Sequence, residues 1–379
     1  MPPFFSNDIF SYWAYGQAWL QGFDPYAAGP GTWNTPFSED VGEIYKNTPC
    51  AYGPVALYIS ALSVGIAGHS LFWNLLITKF IFLLPVLWVW KIASGKPSYN
   101  HLTLALAVLV HPLVLIEGLG QAHTDLLGLY FALPALIYWK NEKYFPWLPV
   151  LLALALSVKL TFIFLLPLLI LQWKQGTGIH FQPIWKIFTG VLLFLGVLLF
   201  LHSPFLPEAD SITAPFRVVK HLRPSGTLQD MLGELAQIFS GNDLKILVWK
   251  YIGMLNLLLS FCLTGWIIFQ VFTRANRVSG MISWALLAAG TILICFYSHR
   301  FFSWYLIPLL PLIYLFMPSQ SPWFKWISWL GFFATIQGFM HLTAPGTMLS
   351  TVIVAVTTLA CVILQWLYFR QRFSPKENF

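Results

Sequence analysis

Apolar runs long enough to enter a bilayer, separated by short polar joints, set the rhythm of this chain. A helix needs about 20 apolar residues to cross a hydrocarbon core about 30 Å thick. That ruler predicts membrane helices near 70–91, 102–117, 124–139, 184–202, 246–272, 280–297, 303–317, 323–341 and 348–369. The stretch 146–173 fits two descriptions. As one helix it is about 42 Å long with Lys159 at its middle; as a hairpin it is two arms of roughly 20 Å turning at Lys159. Between Phe10 and Leu20 the apolar positions recur with helical spacing, Ser6 or Asn7 can cap that helix, and Asp24-Pro25 follows its end.

Basic residues separate the two descriptions. With residues 1–50 outside, the hairpin puts Lys91/Lys96, Lys140/Lys143, Lys174/Lys186, Arg274/Arg277, Lys325 and Arg370/Arg372/Lys376 in inner loops. Short outer loops then keep only Lys159 and Arg300, the asymmetry that the positive-inside rule demands. A single crossing reverses every later loop, so the hairpin is the expectation. The predicted fold is all-α, a polytopic transmembrane helical bundle of about 11 crossings with its C-terminus inside. Residues 1–69 form an extracytoplasmic or juxtamembrane segment and residues 70–379 the bundle. Within the bundle, 203–245 is a long outer loop, rich in Pro and charge, with one short helix at 228–239. A polar outer N-terminus needs a signal or a preceding span to carry it across. The expectation is therefore either a first helix upstream of Met1 or the opposite orientation.

Composition makes lipid the solvent. The chain is 58% hydrophobic and only 9% charged, with a mean hydropathy of +0.69, far from the balance of a soluble domain. Aromatic residues reach 17%, which suits interfacial belts and sugar-stacking platforms alike. The net charge of +7 is spread one or two residues at a time between apolar runs, so it marks orientation anchors and excludes a nucleic-acid partner. Cys50, Cys262, Cys295 and Cys361 show no paired spacing, which supports neither a disulfide framework nor a zinc site.

Against that background Glu117, His123, Asp125, Lys159 and His299-Arg300 stand out, each in or beside an apolar stretch. Such a group costs on the order of a few kcal/mol unless it faces a protein-lined cavity. In the expected topology all of them collect on one side, where Asn7-Asp8 joins them. Asp8 reads either as a first-turn carboxylate stabilised by the helix dipole or as a general base at the membrane surface. The connector from His111 to Asp125 carries Glu117, Gln121, His123 and Asp125, more polar groups than a structural joint needs. Asp125 can equally cap the next helix, and His123 with Asp125 makes a weak metal pair without a third ligand. Lys159 either snorkels towards headgroups or holds a lipid-linked phosphate. Arg300 offers a planar fork for phosphate oxygens, beside aromatic residues that serve as interface anchors or as a sugar platform.

Taken in order, these motifs have a familiar look: Asn7-Asp8, Gly22-Phe23-Asp24-Pro25-Tyr26, Tyr52-Gly53-Pro54, His111-Pro112-Leu113-Val114-Leu115 running to His123-Thr124-Asp125, Lys159-Leu160-Thr161, and Trp304-Tyr305-Leu306-Ile307-Pro308. The chain resembles bacterial polyprenyl-phosphate-mannose-dependent mannosyltransferases, multi-pass enzymes of the GT-C glycosyltransferase class, from about residue 6 to residue 312. The resemblance implies that Asp8 is the catalytic base, and that the donor is a long polyprenyl chain carrying one sugar through a single phosphate. It also implies a further transmembrane helix just before the Asp8 motif. The expected substrate contacts are Asn7, Tyr52, Glu117, Gln121, His123, Asp125, Lys159, His299, Arg300 and Tyr305.

The expected reaction is a single displacement: Asp8 deprotonates an acceptor hydroxyl, Lys159 and Arg300 receive the departing polyprenyl phosphate, and His123 and Asp125 orient hydroxyls. Mannose is the expected sugar, a glycan or glycolipid the acceptor, and the outer face of the cytoplasmic membrane the location. No cofactor is called for, and a divalent-metal requirement stays open. The rival reading is a transporter or lipid flippase, which favours a site at the bilayer midplane and paired repeats.

Overall fold

The computed structural model describes residues 8–94, 108–111, 113–138, 145–166, 169, 183–206, 211–214, 228–273, 307–308 and 310. Among these residues the secondary structure is helical and contains no strand, in line with the expected all-α class. The helices are α1 (Asp8–Leu20), α2 (Glu43–Lys46), α3 (Pro54–Ala67), α4 (Leu71–Ser94), α5 (Asp125–Tyr138), α6 (Trp147–Leu156), α7 (Ile184–His202), α8 (Leu228–Ser240) and α9 (Asn242–Thr273). Predicted helices at 280–297, 323–341 and 348–369 lie outside the described residues, as does almost all of 303–317.

The N-terminal helices dock through small residues. At Gly16 of α1 a Cβ would sit 2.6 Å from the backbone of Ser60 and Ala61 in α3, so only glycine lets the two helices approach this closely. Ile9, Trp13 and Ala14 then share one buried core with Val55, Ala56 and Val64. A polar hub fixes the register: the Trp13 indole donates to Thr78 Oγ1 of α4 at 3.0 Å, and Ser63 of α3 meets the same hydroxyl at 2.8 Å. The α3–α4 turn is closed by Gly68, which takes φ 60°, and by Asn74 Nδ2 donating to Gly68 O at 2.7 Å.

From there the helices stack in chain order, α4 on α5, α5 on α6 and α6 on α7. The Tyr130 hydroxyl of α5 donates to Phe82 O of α4. Ile307 and Leu310, from the last described residues, are buried in the same core. At the far end of α7, Phe205 wedges between Trp19 and Tyr26, with ring centroids 4.7 and 4.8 Å away, and Tyr58 donates to Leu201 O.

Three features differ from the sequence reading. Helix α3 occupies part of the segment expected to be an extramembrane lead-in. Its run of 14 apolar and small residues is short of a span, but Gly53-Pro54 and Gly68 mark both its ends. The helix expected to finish at 117 instead passes into a π-helical turn, Val114–Gly120. The stretch 146–173 breaks where the hairpin needed it to: α6 ends at Leu156, Lys159 is extended (φ −155°, ψ 132°), and a 3-10 segment, Leu160–Leu165, follows. That segment is tighter than the α-helical second arm expected. Its Phe162 lies against Gly128 of α5, where a Cβ would come 2.0 Å from the ring.

One helix among the described residues, Ile184–Phe205, is long and apolar enough to cross a membrane. Its side chains face outward: Ile184 is 79% exposed and Phe200 77% exposed. Leu71, Phe72, Phe80 and Leu87 on α4, with Ile246, Leu247 and Leu258 on α9, are exposed as well. An apolar surface so extended marks contact with lipid or with other protein.

Candidate active site

The polar residues of five separate segments meet where α1, α3 and α5 begin. Asp8 lies in the first turn of α1. Tyr52 stands just before α3, Glu117 in the π-helical turn, His123 and Asp125 at the entry to α5, and Lys159 in the break after α6. The backbone locks these pieces together. Gly53 N donates to Val158 O and Val55 N to Ser157 O, both at 2.9 Å, while Pro54 between them has no N–H to leave orphaned. The Tyr52-Gly53-Pro54 and Lys159-Leu160-Thr161 motifs, a hundred residues apart, are thereby one structural unit.

The connector bearing Glu117 and His123 is tightly wound. His123 N donates to Glu117 O at 3.3 Å and Gln121 N to Ile116 O at 3.0 Å. Ala122 takes φ 57°, a left-handed backbone that residues other than glycine adopt rarely and that is found at functional sites. π-Helical turns have the same bias.

Two ionic groupings result. His123, fully buried, presents Nδ1 to Asp8 Oδ2 at 3.7 Å and Nε2 to Glu117 Oε2 at 3.6 Å. Lys159 Nζ donates to Asp125 Oδ2 at 2.7 Å. Exposure grades inward: the Asp8 side chain keeps 19% of its surface and that of Lys159 12%, against 3% for Glu117 and 1% for Asp125. Asp8 and Lys159 are thus the groups that an incoming molecule reaches. Asp125 Oδ1, Ser157 Oγ and Thr161 Oγ1 are buried without a hydrogen-bond partner among the described residues. Buried polar atoms in that condition call for an explanation, and a polar ligand is one.

Tyr12 belongs to the site and escaped the sequence reading. Its ring meets Tyr52 edge-on at 4.9 Å, and its hydroxyl lies close to the side chains of Tyr52 and Thr124. Burial, and after it the nearby Asp8 carboxylate, hold its phenol well above the usual range, so it stays a neutral hydroxyl. The signal was available: Tyr12 stands four residues after Asp8 in a helix and so shares its face. Cys50, also buried, has its thiol pushed up to about 12 by burial, which leaves it inert.

Of the residues singled out from sequence, Asp8, Tyr52, Glu117, His123, Asp125 and Lys159 lie in this cluster. Gln121 is buried at the end of the π-helical turn that carries it there. Asn7, His299, Arg300 and Tyr305 lie outside the described residues. His123 and Asp125 face different partners: His123 lies against Asp8 and Glu117, Asp125 against Lys159, and among the described residues no three His, Cys, Asp or Glu side chains are arranged to hold a metal.

The Asp125–Lys159 contact makes a stability prediction. Lys159→Met strands a buried carboxylate and is expected to destabilise the protein by about 3–5 kcal/mol. The double variant Lys159→Met/Asp125→Leu is expected to recover most of that loss. Thermal unfolding of the detergent-purified protein reads both, and a single variant as stable as wild type would contradict the pairing.

Comparison with known proteins places this cluster in a family context. Residues 1–175 match the family described as Alpha-(1->6)-mannopyranosyltransferase, N-terminal domain. Every residue of the cluster falls inside that match. The chain is 32% identical over 181 residues to Alpha-(1->6)-mannopyranosyltransferase A of Mycobacterium tuberculosis, covering 46% of this chain and 34% of the relative. It is 30% identical over 140 residues to Alpha-(1->6)-mannopyranosyltransferase B of Corynebacterium glutamicum, covering 35% and 23%, and 24% identical over 172 residues to the A protein of the same organism, covering 44% and 35%. The matches thus span about a third of the curated relatives' length or less.

Proposed function

We propose that this relative of the alpha-(1->6)-mannopyranosyltransferases is a membrane glycosyltransferase, moving mannose from a polyprenyl-phosphate donor to a glycan or lipid acceptor at the outer face of the cytoplasmic membrane. The observation that carries the reading is the convergence of Asp8 and Lys159, the two partly exposed charges, around an otherwise buried polar cluster. The names of the relatives supply the sugar.

In the proposed step the acceptor oxygen attacks the anomeric carbon. Its proton passes to an Asp8 carboxylate oxygen, the new carbon–oxygen bond forms, and the bond to the phosphate oxygen breaks with its electron pair leaving on the phosphate. Lys159 stands where it can meet that growing charge, and a site partly shielded from water makes the contact stronger than in bulk solvent. Arg300 is the second cation of the proposal. Asp125, whose Oδ2 accepts from Lys159, holds that ammonium in place from beneath. The finer topology is part of the same reading: about 11 crossings, an outer N-terminal segment and a multi-pass bundle. The exposed apolar faces of α4, α7 and α9 support it. A transporter or flippase is not favoured, because the relatives that match 35–46% of the chain are transferases by name.

Membranes containing the full chain, given labelled polyprenyl-phosphate mannose, are expected to pass label to a glycan or glycolipid fraction without added nucleotide. Label that moves only from a nucleotide-linked mannose would overturn the donor assignment. Label crossing the bilayer still attached to its lipid would point to a flippase instead.

A further inference from the structure

We infer that His123 and Glu117 are positioning residues that act through Asp8, not contacts for sugar hydroxyls. This rests on the reading of Asp8 as the base. His123 is fully buried and both its ring nitrogens face carboxylates, Nδ1 towards Asp8 at 3.7 Å and Nε2 towards Glu117 at 3.6 Å. A substrate hydroxyl has no approach to an imidazole so enclosed. Asp8 does have an open side, its side chain being 19% exposed. The three groups therefore form a line running inward from the reacting face, with the outermost carboxylate touching substrate and the inner two touching only protein.

The backbone is shaped to hold that line. Residues 114–120 form a π-helical turn and Ala122 sits at φ 57°. A regular α-helix continuing from 114 would put Glu117 and His123, six residues apart, on different faces, since neighbours on one face recur every three or four residues. The extra residue per turn and the left-handed corner bring both side chains to one place. His123 N donating to Glu117 O at 3.3 Å fixes the separation of their backbones. Such strain persists where the surrounding structure over-determines it, and here what it secures is the imidazole between two carboxylates. Both contacts are slightly beyond hydrogen-bond length, as catalytic networks without bound substrate often are.

A carboxylate flanked on one side by an immobile imidazole keeps its exposed face in a fixed direction. Lost alignment of that kind costs rate more than binding, because the ground-state complex does not need it.

The test compares Glu117→Ala, Glu117→Gln and Glu117→Met, with His123→Gln as a second site, each assayed for transfer from labelled polyprenyl-phosphate mannose and normalised to folded protein. Glu117→Ala and Glu117→Met are expected to lower kcat by roughly tenfold to a hundredfold with KM within about twofold. Glu117→Gln, which keeps an acceptor for the imidazole, is expected to return to within about threefold of wild type. A residue that merely filled space would be rescued by Met as well as by Gln. Rescue by Met, or a change confined to KM, overturns the inference while leaving the proposed activity intact. Absence of transfer by the wild-type chain overturns the proposed activity, and the inference with it.

Discussion

Asp8→Ala is expected to lower mannosyl transfer per folded molecule by about a thousandfold, the middle of the range that removal of a general base produces. KM for donor and acceptor should change little, since Asp8 is asked to act on a proton in flight and not to anchor a sugar. The competing description of Asp8 is the plain one, a first-turn carboxylate that interacts with the α1 dipole. Such a group contributes about 0.3–1 kcal/mol of stability and nothing to rate. The two descriptions part cleanly in one experiment that measures unfolding midpoint and turnover together. A small loss of stability with turnover unchanged would leave only the dipole role. Asp8→Asn sharpens the comparison, because it keeps the shape of the side chain and its place against His123 but cannot take a proton. It should be nearly as inactive as Asp8→Ala. Asp8→Glu, which moves the carboxylate out by one methylene, is expected to fall about a hundredfold through misplacement.

The geometry that makes Asp8 a candidate was partly legible in the chain. Helices whose ends carry chemical punctuation were placed well: 184–202 coincides with α7, 124–139 with α5 at Asp125–Tyr138, and 228–239 with α8 at Leu228–Ser240. Their boundaries are set by Pro183, Asp125 and the Gly241 turn, all local signals. The break at Lys159 was also legible, because charge asymmetry between loops depends on the whole chain and not on propensity near residue 159. Helix α3 was not, since a ruler tuned to bilayer thickness passes over 14 apolar residues, whatever caps they carry. The inward site residues could be named but not arranged. Nothing in the spacing of Glu117 and His123 announces a π-helical turn, and nothing near Lys159 says that Asp125 is its partner. Those facts belong to tertiary contacts between segments 34 residues apart for Asp125–Lys159, and more than a hundred for Asp8–His123. Tyr12 shows the opposite case: its position one turn beyond Asp8 was readable, but an aromatic in an apolar helix carries no mark of chemistry.

Gly53→Ala is expected to be as damaging as a change to the cluster itself, although Gly53 carries no chemistry. A Cβ there would lie 2.1 Å from Ser157 O, 2.5 Å from Ser157 C and 2.9 Å from Ser157 Cα. All three are backbone atoms, so no side chain can swing aside. Conformation is not what demands glycine, because φ is −71° and ψ 169°, values any residue adopts. Proximity alone demands it. The added methyl group must part the start of α3 from the break after α6, and with that go the bonds from Gly53 N to Val158 O and from Val55 N to Ser157 O. Overpacking of this kind costs about 1–3 kcal/mol, and each lost hydrogen bond about 1 more. Lys159 follows Val158 directly, so the displacement passes to the ammonium and to its contact with Asp125. Turnover should therefore fall at least about tenfold in whatever fraction remains folded. Gly196, midway along α7, is the control: a Cβ there meets nothing within 4 Å, and Gly196→Ala should be neutral or stabilising by up to about 1 kcal/mol through helix propensity. Thermal unfolding and transfer assays on the two variants side by side read the difference. Should Gly53→Ala fold and turn over like Gly196→Ala, the close seat of α3 on the 157–158 backbone would not be what places Lys159, and the ammonium would owe its position to Asp125 alone.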